Sequence, residues 1–354
     1  MITRSIGRDA LLLWLGSRAG LLVATALGVA LAEYADRWRK WDATLFITIA
    51  QYGYDGEPGK PPDEGLPAFF PGLPAALRLV HLVIPDWGAA GLLVSLVAGA
   101  VAVVALARLA EAEGASGWIA VLALLLFPMA VFLAAGYSES LFLAFAIPAW
   151  LAARQGNWAS AAFLAAGASC VRITGLFLAV ALVVEFVMRR DPVRQAAWLV
   201  VPFVPLVAYS YYHYGRTGDW LAWKHAQEAG WGRDFAWPWE AWGTTWQSAM
   251  ESGDFAVAFR MEIVGAVAAV GVLVWLLVLR RWSEAVYTGT QAAALMTSAY
   301  YLSIPRSLLL WFPLWVLVAR LATRRTWVIA LYALISAPLM IANAGRFLSG
   351  AWAG

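Results

Sequence analysis

The sequence predicts an all-α, polytopic integral membrane protein. Of its 354 residues, 62% are hydrophobic and only 13% are charged, and the mean hydropathy is +0.69. Soluble domains average about 45–50% apolar and about 25% charged residues, and disordered chains contain still fewer apolar residues. The apolar runs are continuous and lack the alternation of a transmembrane β-barrel. Composition therefore excludes a soluble globular enzyme and favours a bundle of membrane helices.

Apolar segments recur along the whole chain, and we expect about 11 transmembrane helices in a single domain over residues 1–354. The segments lie near residues 10–32, 88–109, 117–135, 139–153, 157–171, 173–188, 196–212, 262–279, 285–302, 307–322 and 326–345. The first run of about 22 residues is longer than the usual apolar core of a signal peptide, about 7–15 residues, so we expect it to be retained as a helix.

Arginine placement predicts the orientation of the bundle, because cytoplasmic loops are enriched in Lys and Arg. With the N terminus in the cytoplasm, the inner ends carry Arg4, Arg8, Arg108, Arg154, Arg189, Arg190, Arg194, Arg280, Arg281, Arg320, Arg324 and Arg325. The acidic residues on that side are only Asp9, Glu111, Glu113, Glu185, Asp191 and Glu284. Two long loops, about 33–87 and 213–261, then lie outside, and long loops are often functional. We therefore expect a multi-pass protein of the cell membrane with its active site on the outer face.

The sequence contains no motif for nucleotide binding or for a metal site. No Gly-rich nucleotide-binding pattern lies between a strand and a helix, and no compact carboxylate cluster suggests a metal site. Neither a cofactor nor a nucleic acid partner is expected. The single cysteine, Cys170, excludes an intrachain disulfide. The preference for Arg over Lys, with abundant Ala, Gly and Trp, is typical of a G+C-rich bacterial genome.

The first outer loop contains the candidate catalytic base, Asp42. Residues 41–52 have the pattern of an amphipathic helix, with Trp41 at the membrane interface. Asp42 is either the N-terminal cap of that helix or a carboxylate that takes a proton from a substrate. The prolines at 71 and 74 break the following segment, and irregular backbone near a membrane indicates a covered cavity.

Further polar side chains occur at the predicted outer ends of other helices. They are Tyr137, Ser138 and Glu139, then Arg172, His213 and Arg306, with Gln227 and Arg233 in the tryptophan-rich second loop. Each of them alone is an ordinary interface residue. Together they place an acid and two arginines in apolar sequence on one side of the membrane, where ionisable groups tend to face a cavity. Arginine presents a planar fork that suits phosphate.

At these residues the sequence resembles the PIG-V type of GPI mannosyltransferases, within the GT-C glycosyltransferases. The matching pieces are Trp41-Asp42 with Ile49-Ala50 and Gly53-Tyr54; Ala68-Phe69-Phe70-Pro71 with Leu73-Pro74; Phe127-Pro128 with Phe132-Leu133-Ala134-Ala135-Gly136-Tyr137-Ser138-Glu139; Cys170-Val171-Arg172 with Gly175; and Pro305-Arg306 with Trp311-Phe312-Pro313. The pieces that contain Phe70-Pro71 and Tyr137-Ser138-Glu139 are the more specific ones.

The resemblance implies a GT-C-like helical bundle that transfers a sugar, mannose in the PIG-V type, from a polyprenyl phosphate with inversion of the anomeric centre. The donor, a glycolipid or other outer-face acceptor, and the lipid bilayer are its expected partners. It implies that Asp42 is the base. Arg172 and Arg306 suit the donor phosphate without a metal, and Trp41, Tyr137, Ser138, Glu139, His213, Gln227 and Arg233 are candidates for binding substrate.

Two other functions fit part of the pattern. A secondary transporter of a small anionic or lipid-linked solute would also contain broken helices and buried charges, but such proteins usually show internal repeats, and we find none. A non-catalytic subunit of a partner enzyme would not need Asp42, Glu139, Arg172 and Arg306 together.

Overall fold

The computed structural model describes residues 2–26, 31–61, 63–252 and 255–354. Over these residues the protein is helical, with a single isolated β-bridge between Phe235 and Ser298. The α-helices are α1 (Ile2–Ala26), α2 (Leu31–Arg37), α3 (Asp42–Tyr52), α4 (Gly72–His81), α5 (Trp87–Ala112), α6 (Gly117–Leu126), α7 (Ser138–Arg154), α8 (Trp158–Val171), α9 (Thr174–Arg189), α10 (Val204–Thr217), α11 (Ala222–Trp231), α12 (Pro238–Met250), α13 (Ala256–Val278), α14 (Trp282–Met296), α15 (Ile304–Leu308), α16 (Phe312–Arg324) and α17 (Trp327–Leu348). The 3-10 helices are Gly53–Asp55, Leu66–Ala68, Ala130–Leu133 and Val193–Phe203.

Over the described residues the predicted apolar segments largely coincide with helices, which confirms a helical membrane protein. Residues 27–30 of the first segment lie outside the described residues, and the segment predicted near 285–302 extends beyond the end of α14 at Met296. Among the described residues, four helices are long and apolar enough to cross a membrane: Trp87–Ala112, Val193–Thr217, Ala256–Val278 and Trp327–Leu348. Others, such as α6 and α8, are apolar but shorter. The predicted count of about 11 spans is therefore not matched by helices of full membrane length.

The two segments predicted as long loops contain helices. Residues 33–87 include α3 and α4, and residues 213–261 include α11 and α12. The segment from Val193 to Thr217 is 3-10 helical over its first 11 residues and α-helical from Val204 onward. Such a long 3-10 run is unusual, because its hydrogen-bond geometry is poorer than that of an α-helix.

The chain forms two compact units. Unit 1 comprises Met1–Ile47, Ala75–Leu151 and Leu309–Ala353. Its core joins α1, α5, α6, α16 and α17. Trp14 of α1 is fully buried and donates its indole N–H to the carbonyl of Leu96 at 3.0 Å. Its ring occupies the place where Gly99 of α5 lacks a side chain, so a small residue permits close helix packing.

Unit 2 comprises Thr48–Pro74, Ala152–Leu308 and Gly354. Helices α8, α9, α13 and α14 make most of the contacts between its helices. Helices α11 and α12 pack against neighbouring elements of the same unit. Buried Glu185 of α9 accepts hydrogen bonds from Ser283 Oγ of α14 at 2.6 Å and from Arg154 Nη1 at 3.1 Å. Because a buried charge is costly without a partner, this pairing fixes α9 relative to α14.

Candidate active site

Asp42 is the first residue of α3, and its side chain is half-buried. Helix hydrogen bonding starts at the carbonyls of Lys40 and Trp41, which accept from the amides of Ala43 and Thr44. Asp42 thus follows the capping position rather than occupying it. A carboxylate in the first helical turn still interacts favourably with the helix dipole.

The backbone that leads into Asp42 is held in an uncommon conformation. Trp41 has a φ of 51°, which non-glycine residues adopt rarely and which costs free energy. The carbonyl of Lys40 accepts a hydrogen bond from the hydroxyl of buried Tyr137 at 3.0 Å. In unit 1 the structure therefore brings together three predicted site residues, Trp41, Asp42 and Tyr137.

A tryptophan far along the chain completes this group. The ring of Trp352 contacts the ring of Trp41 edge-on, with centroids 5.4 Å apart. Arg346 of α17 donates to the carbonyl of Trp352 at 3.0 Å and so fixes that residue. Trp352 is not predictable as a site residue from the sequence, because nothing in its neighbourhood distinguishes it from other interfacial tryptophans.

Ser138 and Glu139 begin α7 and are fully buried in unit 1. The turn before them passes very close to α5: a Cβ atom on Gly91 would lie 3.1 Å from the Cα of Gly136. Ser140 Oγ donates to the carbonyl of Leu133 at 2.8 Å, which ties the start of α7 to the preceding turn. The motif is thus part of the interior of unit 1, where glycine is needed for the close approach of the two backbones.

Two tyrosines hold the broken Phe69-Phe70-Pro71 segment of unit 2. Tyr54 donates its hydroxyl hydrogen bond to the carbonyl of Phe69 at 2.8 Å. The hydroxyl of Tyr209 lies 2.9 Å from the carbonyl of Pro67 and 3.1 Å from that of Phe69. The carbonyls that a proline-rich segment cannot use in a helix are thereby satisfied. Sequence reasoning did not single out Tyr209.

His213 is fully buried beside the same tyrosines. Its ring meets those of Tyr54, Tyr209 and Tyr212 edge-on, with centroids 4.8, 4.5 and 5.1 Å apart. Neither ring nitrogen has a hydrogen-bond partner among the described residues. One turn further along α10, Arg216 pairs with Asp55. His213 therefore lies inside an aromatic cluster and not on an open surface.

Arg172 lies between α8 and α9 in extended backbone and is half-buried. Its guanidinium is near enough to Tyr287 of α14 for an electrostatic interaction. Close packing shapes the turn around it, because a Cβ on Gly175 would meet the backbone nitrogen of Ser169 at 2.5 Å. Arg172 is thus presented from a compact turn.

Arg306 belongs to the short helix α15 and is 6% exposed. The carboxylate of Glu262, from α13, accepts hydrogen bonds from the backbone amides of Ser303 at 2.7 Å and Ile304 at 2.8 Å. Arg233 donates to the carbonyl of Leu302 at 3.2 Å. In unit 2, Arg233 thus contacts the turn that carries Arg306. Glu262 is not among the site residues predicted from the sequence.

Gln227 lies in the second half of α11, and Arg233 follows the end of that helix. The backbone amide of Arg233 donates to the carbonyl of Gln227 at 3.4 Å, so the two residues share one turn. Nearby, Tyr300 donates its hydroxyl hydrogen bond to the carbonyl of Trp231 at 2.9 Å. This hydrogen bond therefore links the end of α11 to the segment that precedes Arg306.

The predicted acidic and basic site residues divide between the two units. Asp42 and Glu139 belong to unit 1, whereas Arg172, His213, Arg233 and Arg306 belong to unit 2. Within the described part of the chain, no group of three or more His, Cys, Asp or Glu side chains is arranged to hold a metal ion.

Comparison with known families identifies the first part of the chain. The family model described as Mannosyltransferase (PIG-V) matches residues 23–190. These residues are similar to the PIG-V mannosyltransferase family. The PIG-V match includes Trp41, Asp42, Glu139 and Arg172, and it ends before His213. It covers just under half of the chain, and it supports a glycosyltransferase role with a sugar donor and an acceptor as substrates.

Comparisons with curated proteins and with solved structures give no match to this chain.

Proposed function

We propose that this protein is an inverting glycosyltransferase that moves mannose from a polyprenyl-phosphate-mannose donor to a glycolipid or another acceptor at the outer face of the cell membrane. The observation that carries the proposal is the PIG-V match over residues 23–190, which contain Trp41-Asp42 and the buried Tyr137-Ser138-Glu139 turn. The long apolar helices support a lipid-linked donor, because such a donor is anchored in the bilayer.

In the proposed reaction, Asp42 acts as the general base. Its carboxylate takes the proton of the acceptor hydroxyl, and the hydroxyl oxygen attacks the anomeric carbon from the side opposite the phosphate. The new glycosidic bond forms as the bond between the anomeric carbon and the phosphate oxygen breaks, so the configuration inverts. The tyrosine hydrogen bond to the carbonyl of Lys40 supports this role, because base catalysis depends on a fixed carboxylate position.

The leaving polyprenyl phosphate gains negative charge during the reaction, and we assign its stabilisation to Arg172 and Arg306. Fixed guanidinium groups lower the energy of a transition state in which charge develops on phosphate oxygens. Both arginines belong to unit 2, and a guanidinium group has the geometry to bind two phosphate oxygens. This assignment requires no metal ion.

The proposal is tested by incubating the purified protein with polyprenyl-phosphate-mannose and a lipid extract from its source, followed by mass spectrometry of the lipids. We expect a lipid product heavier by one hexose, together with free polyprenyl phosphate. A transporter or a non-catalytic subunit would leave both substrates unchanged, and that result would refute the proposal.

A further inference from the structure

A buried carboxylate clamps the chain just before Arg306. Glu262 of α13 is 2% exposed, and its two oxygens separately accept the amide hydrogens of Ser303 at 2.7 Å and Ile304 at 2.8 Å. Hydrogen bonds from backbone amides to an ionised carboxylate are shorter and stronger than those to a neutral acceptor. Glu262 therefore binds two consecutive residues of the turn in a fixed position.

The clamped turn has a hydrogen bond of its own, from the amide of Ser307 to the carbonyl of Ser303 at 2.9 Å, but its conformation is unfavourable. Ser303 has a φ of 63°, which is unfavourable for a residue with a side chain. The helix that follows, α15, has only five residues, and so short a helix is unstable on its own. The first amides of α15 lack acceptors within the helix, and Glu262 provides the acceptor for one of these amides, that of Ile304. The position of Arg306, two residues after Ile304, thus depends on a contact from another helix.

Two further contacts support the same turn. Arg233 lies near enough to Glu262 for an attractive electrostatic interaction and donates to the carbonyl of Leu302. One turn further along the same face of α13, Pro305 packs against Gly265, where an added Cβ would lie 2.8 Å from the proline Cγ. The turn is thus held by a carboxylate, a guanidinium and a close backbone contact. Burying polar and charged groups costs free energy, so this number of them is unusual for a turn that only connects two helices.

We propose that Glu262 is a positioning residue that sets the geometry of Arg306 toward the phosphate of the lipid donor. This inference rests on the proposed function of Arg306 as a phosphate-binding residue. Glu262 does not touch the substrate. It acts by holding Ser303 and Ile304, and through them the direction in which α15 presents the arginine.

The test measures the dissociation constant of polyprenyl phosphate for the purified protein by calorimetry, so that it does not depend on turnover. The variants are Glu262→Gln, Arg306→Lys and the double variant, with Glu251→Gln as the control because Glu251 is an exposed carboxylate after α12. Glutamine keeps the size of the side chain but turns one acceptor into a donor that faces an amide. We expect Glu262→Gln to weaken binding about tenfold, as expected for the loss of a hydrogen bond to a charged group.

The double variant separates positioning from general destabilisation. If Glu262 acts through Arg306, the double variant binds polyprenyl phosphate about as weakly as Arg306→Lys alone, because residues that act as a unit are not additive. If the effects of the two substitutions on binding simply multiply, or if Glu262→Gln lowers the melting temperature while binding is unchanged, the inference is wrong.

Failure of the inference is distinguishable from failure of the proposed function. An Arg306→Lys protein that binds polyprenyl phosphate like the wild type would remove Arg306 from the donor site and refute both. Weak binding by Arg306→Lys with normal binding by Glu262→Gln would refute only the role of Glu262. Should Glu262→Gln not fold, Gly265→Ala displaces Pro305 through a contact with α13 that does not involve the carboxylate, and normal binding by a folded Gly265→Ala protein would equally refute the inference.

Discussion

Asp42 begins α3, and one substitution distinguishes its catalytic role from a structural one. Asparagine keeps the size of the side chain but cannot act as a base. If Asp42 is the base, Asp42→Asn lowers the transfer rate by about 10²–10⁴-fold, the usual contribution of a positioned general base. The helix dipole accounts for only about 0.3–1 kcal/mol of the free energy of unfolding, so the melting temperature should change little. The measurement is the transfer rate alongside thermal unfolding.

The matched control is Asp234→Asn, since Asp234 is exposed and lies outside the candidate site. It should retain the wild-type transfer rate. A stable Asp42→Asn protein with full activity would assign the base to another residue, with Glu139 or His213 as the next candidates.

Arg172 is the second residue whose role one substitution can test. Lysine keeps the positive charge but loses the planar fork that binds two phosphate oxygens. We expect Arg172→Lys to raise the donor KM about tenfold while the acceptor KM stays constant, because a hydrogen bond to a charged group is lost. Steady-state kinetics with varied donor measures this effect. Arg194→Lys, an exposed arginine in the 3-10 helix, is the control. Equal donor KM values for both variants would contradict the assignment.

At the level of single residues, the sequence identified candidate site residues whose charge is unusual in the apolar sequence around them. A carboxylate after a tryptophan, an acid in the Tyr137-Ser138-Glu139 turn and arginines between apolar segments are conspicuous. Tyr209, Glu262 and Trp352 are not, because their importance comes from contacts with residues distant along the chain. A tyrosine or tryptophan near a membrane interface is ordinary until its neighbours are known.

At the level of elements, hydropathy correctly predicted the positions of the apolar helices. The polar segments between them were predicted to be loops, but some of them are helical. The apolar segment near 88–109 corresponds closely to α5, Trp87–Ala112. The stretch 213–261 reads as a loop because it is polar and rich in tryptophan, yet it forms α11 and α12. Helices at an interface need only one apolar face, so average hydropathy does not detect them.

Helix α5 offers a test of how an ionisable cap supports an element. Asp86 caps it by accepting from the amide of Ala89 at 2.7 Å and also pairs with Arg39. Partial burial raises the pKa of Asp86, but the Ala89 amide and the Arg39 guanidinium outweigh it, so the pKa is lowered. A lowered pKa stabilises the folded state above the unfolded value of about 3.9, and this contribution is lost as the pH falls through the folded value.

We therefore expect Asp86→Asn, which keeps the cap but loses the charge, to melt below the wild type at pH 7 and close to it near pH 3. The ion pair is partly exposed, so the difference at pH 7 corresponds to at most about 1 kcal/mol. Asp86→Ala loses the cap as well and should lose about 0.5–2 kcal/mol. Thermal unfolding in detergent at both pH values measures this. A melting difference between Asp86→Asn and wild type that is independent of pH would exclude the charge effect.

At the level of the whole molecule, the arginine distribution makes a prediction about topology. In a protein without Cys170, we expect Lys60→Cys to react from outside the cell with a membrane-impermeant thiol reagent and Gln155→Cys to remain unlabelled until the membrane is opened. Both positions are exposed in the structure, so access to the protein surface does not limit the reaction. The reverse labelling pattern would place the N terminus outside and the proposed active face in the cytoplasm.

The similarity to the PIG-V family over residues 23–190 and the helical membrane character of the chain were predictable from sequence. Composition alone indicates a helical membrane protein, and the motifs near Asp42 and Glu139 lie within the PIG-V match. The division into two compact units was not predictable, because unit 1 is assembled from three separate stretches of sequence. Hydropathy describes each stretch by itself and contains no information on which stretches pack together.

The 3-10 run that precedes α10 has a consequence for how this segment fits a bilayer. A 3-10 helix rises about 2.0 Å per residue, against about 1.5 Å for an α-helix. The 11 residues Val193–Phe203 thus extend over about 22 Å, roughly 5 Å more than they would as an α-helix. Interconversion of the two hydrogen-bonding patterns changes the length of the segment by about one helical turn without adding a residue. In the 3-10 form these residues therefore cover a larger part of a hydrocarbon layer about 30 Å thick than they would as an α-helix.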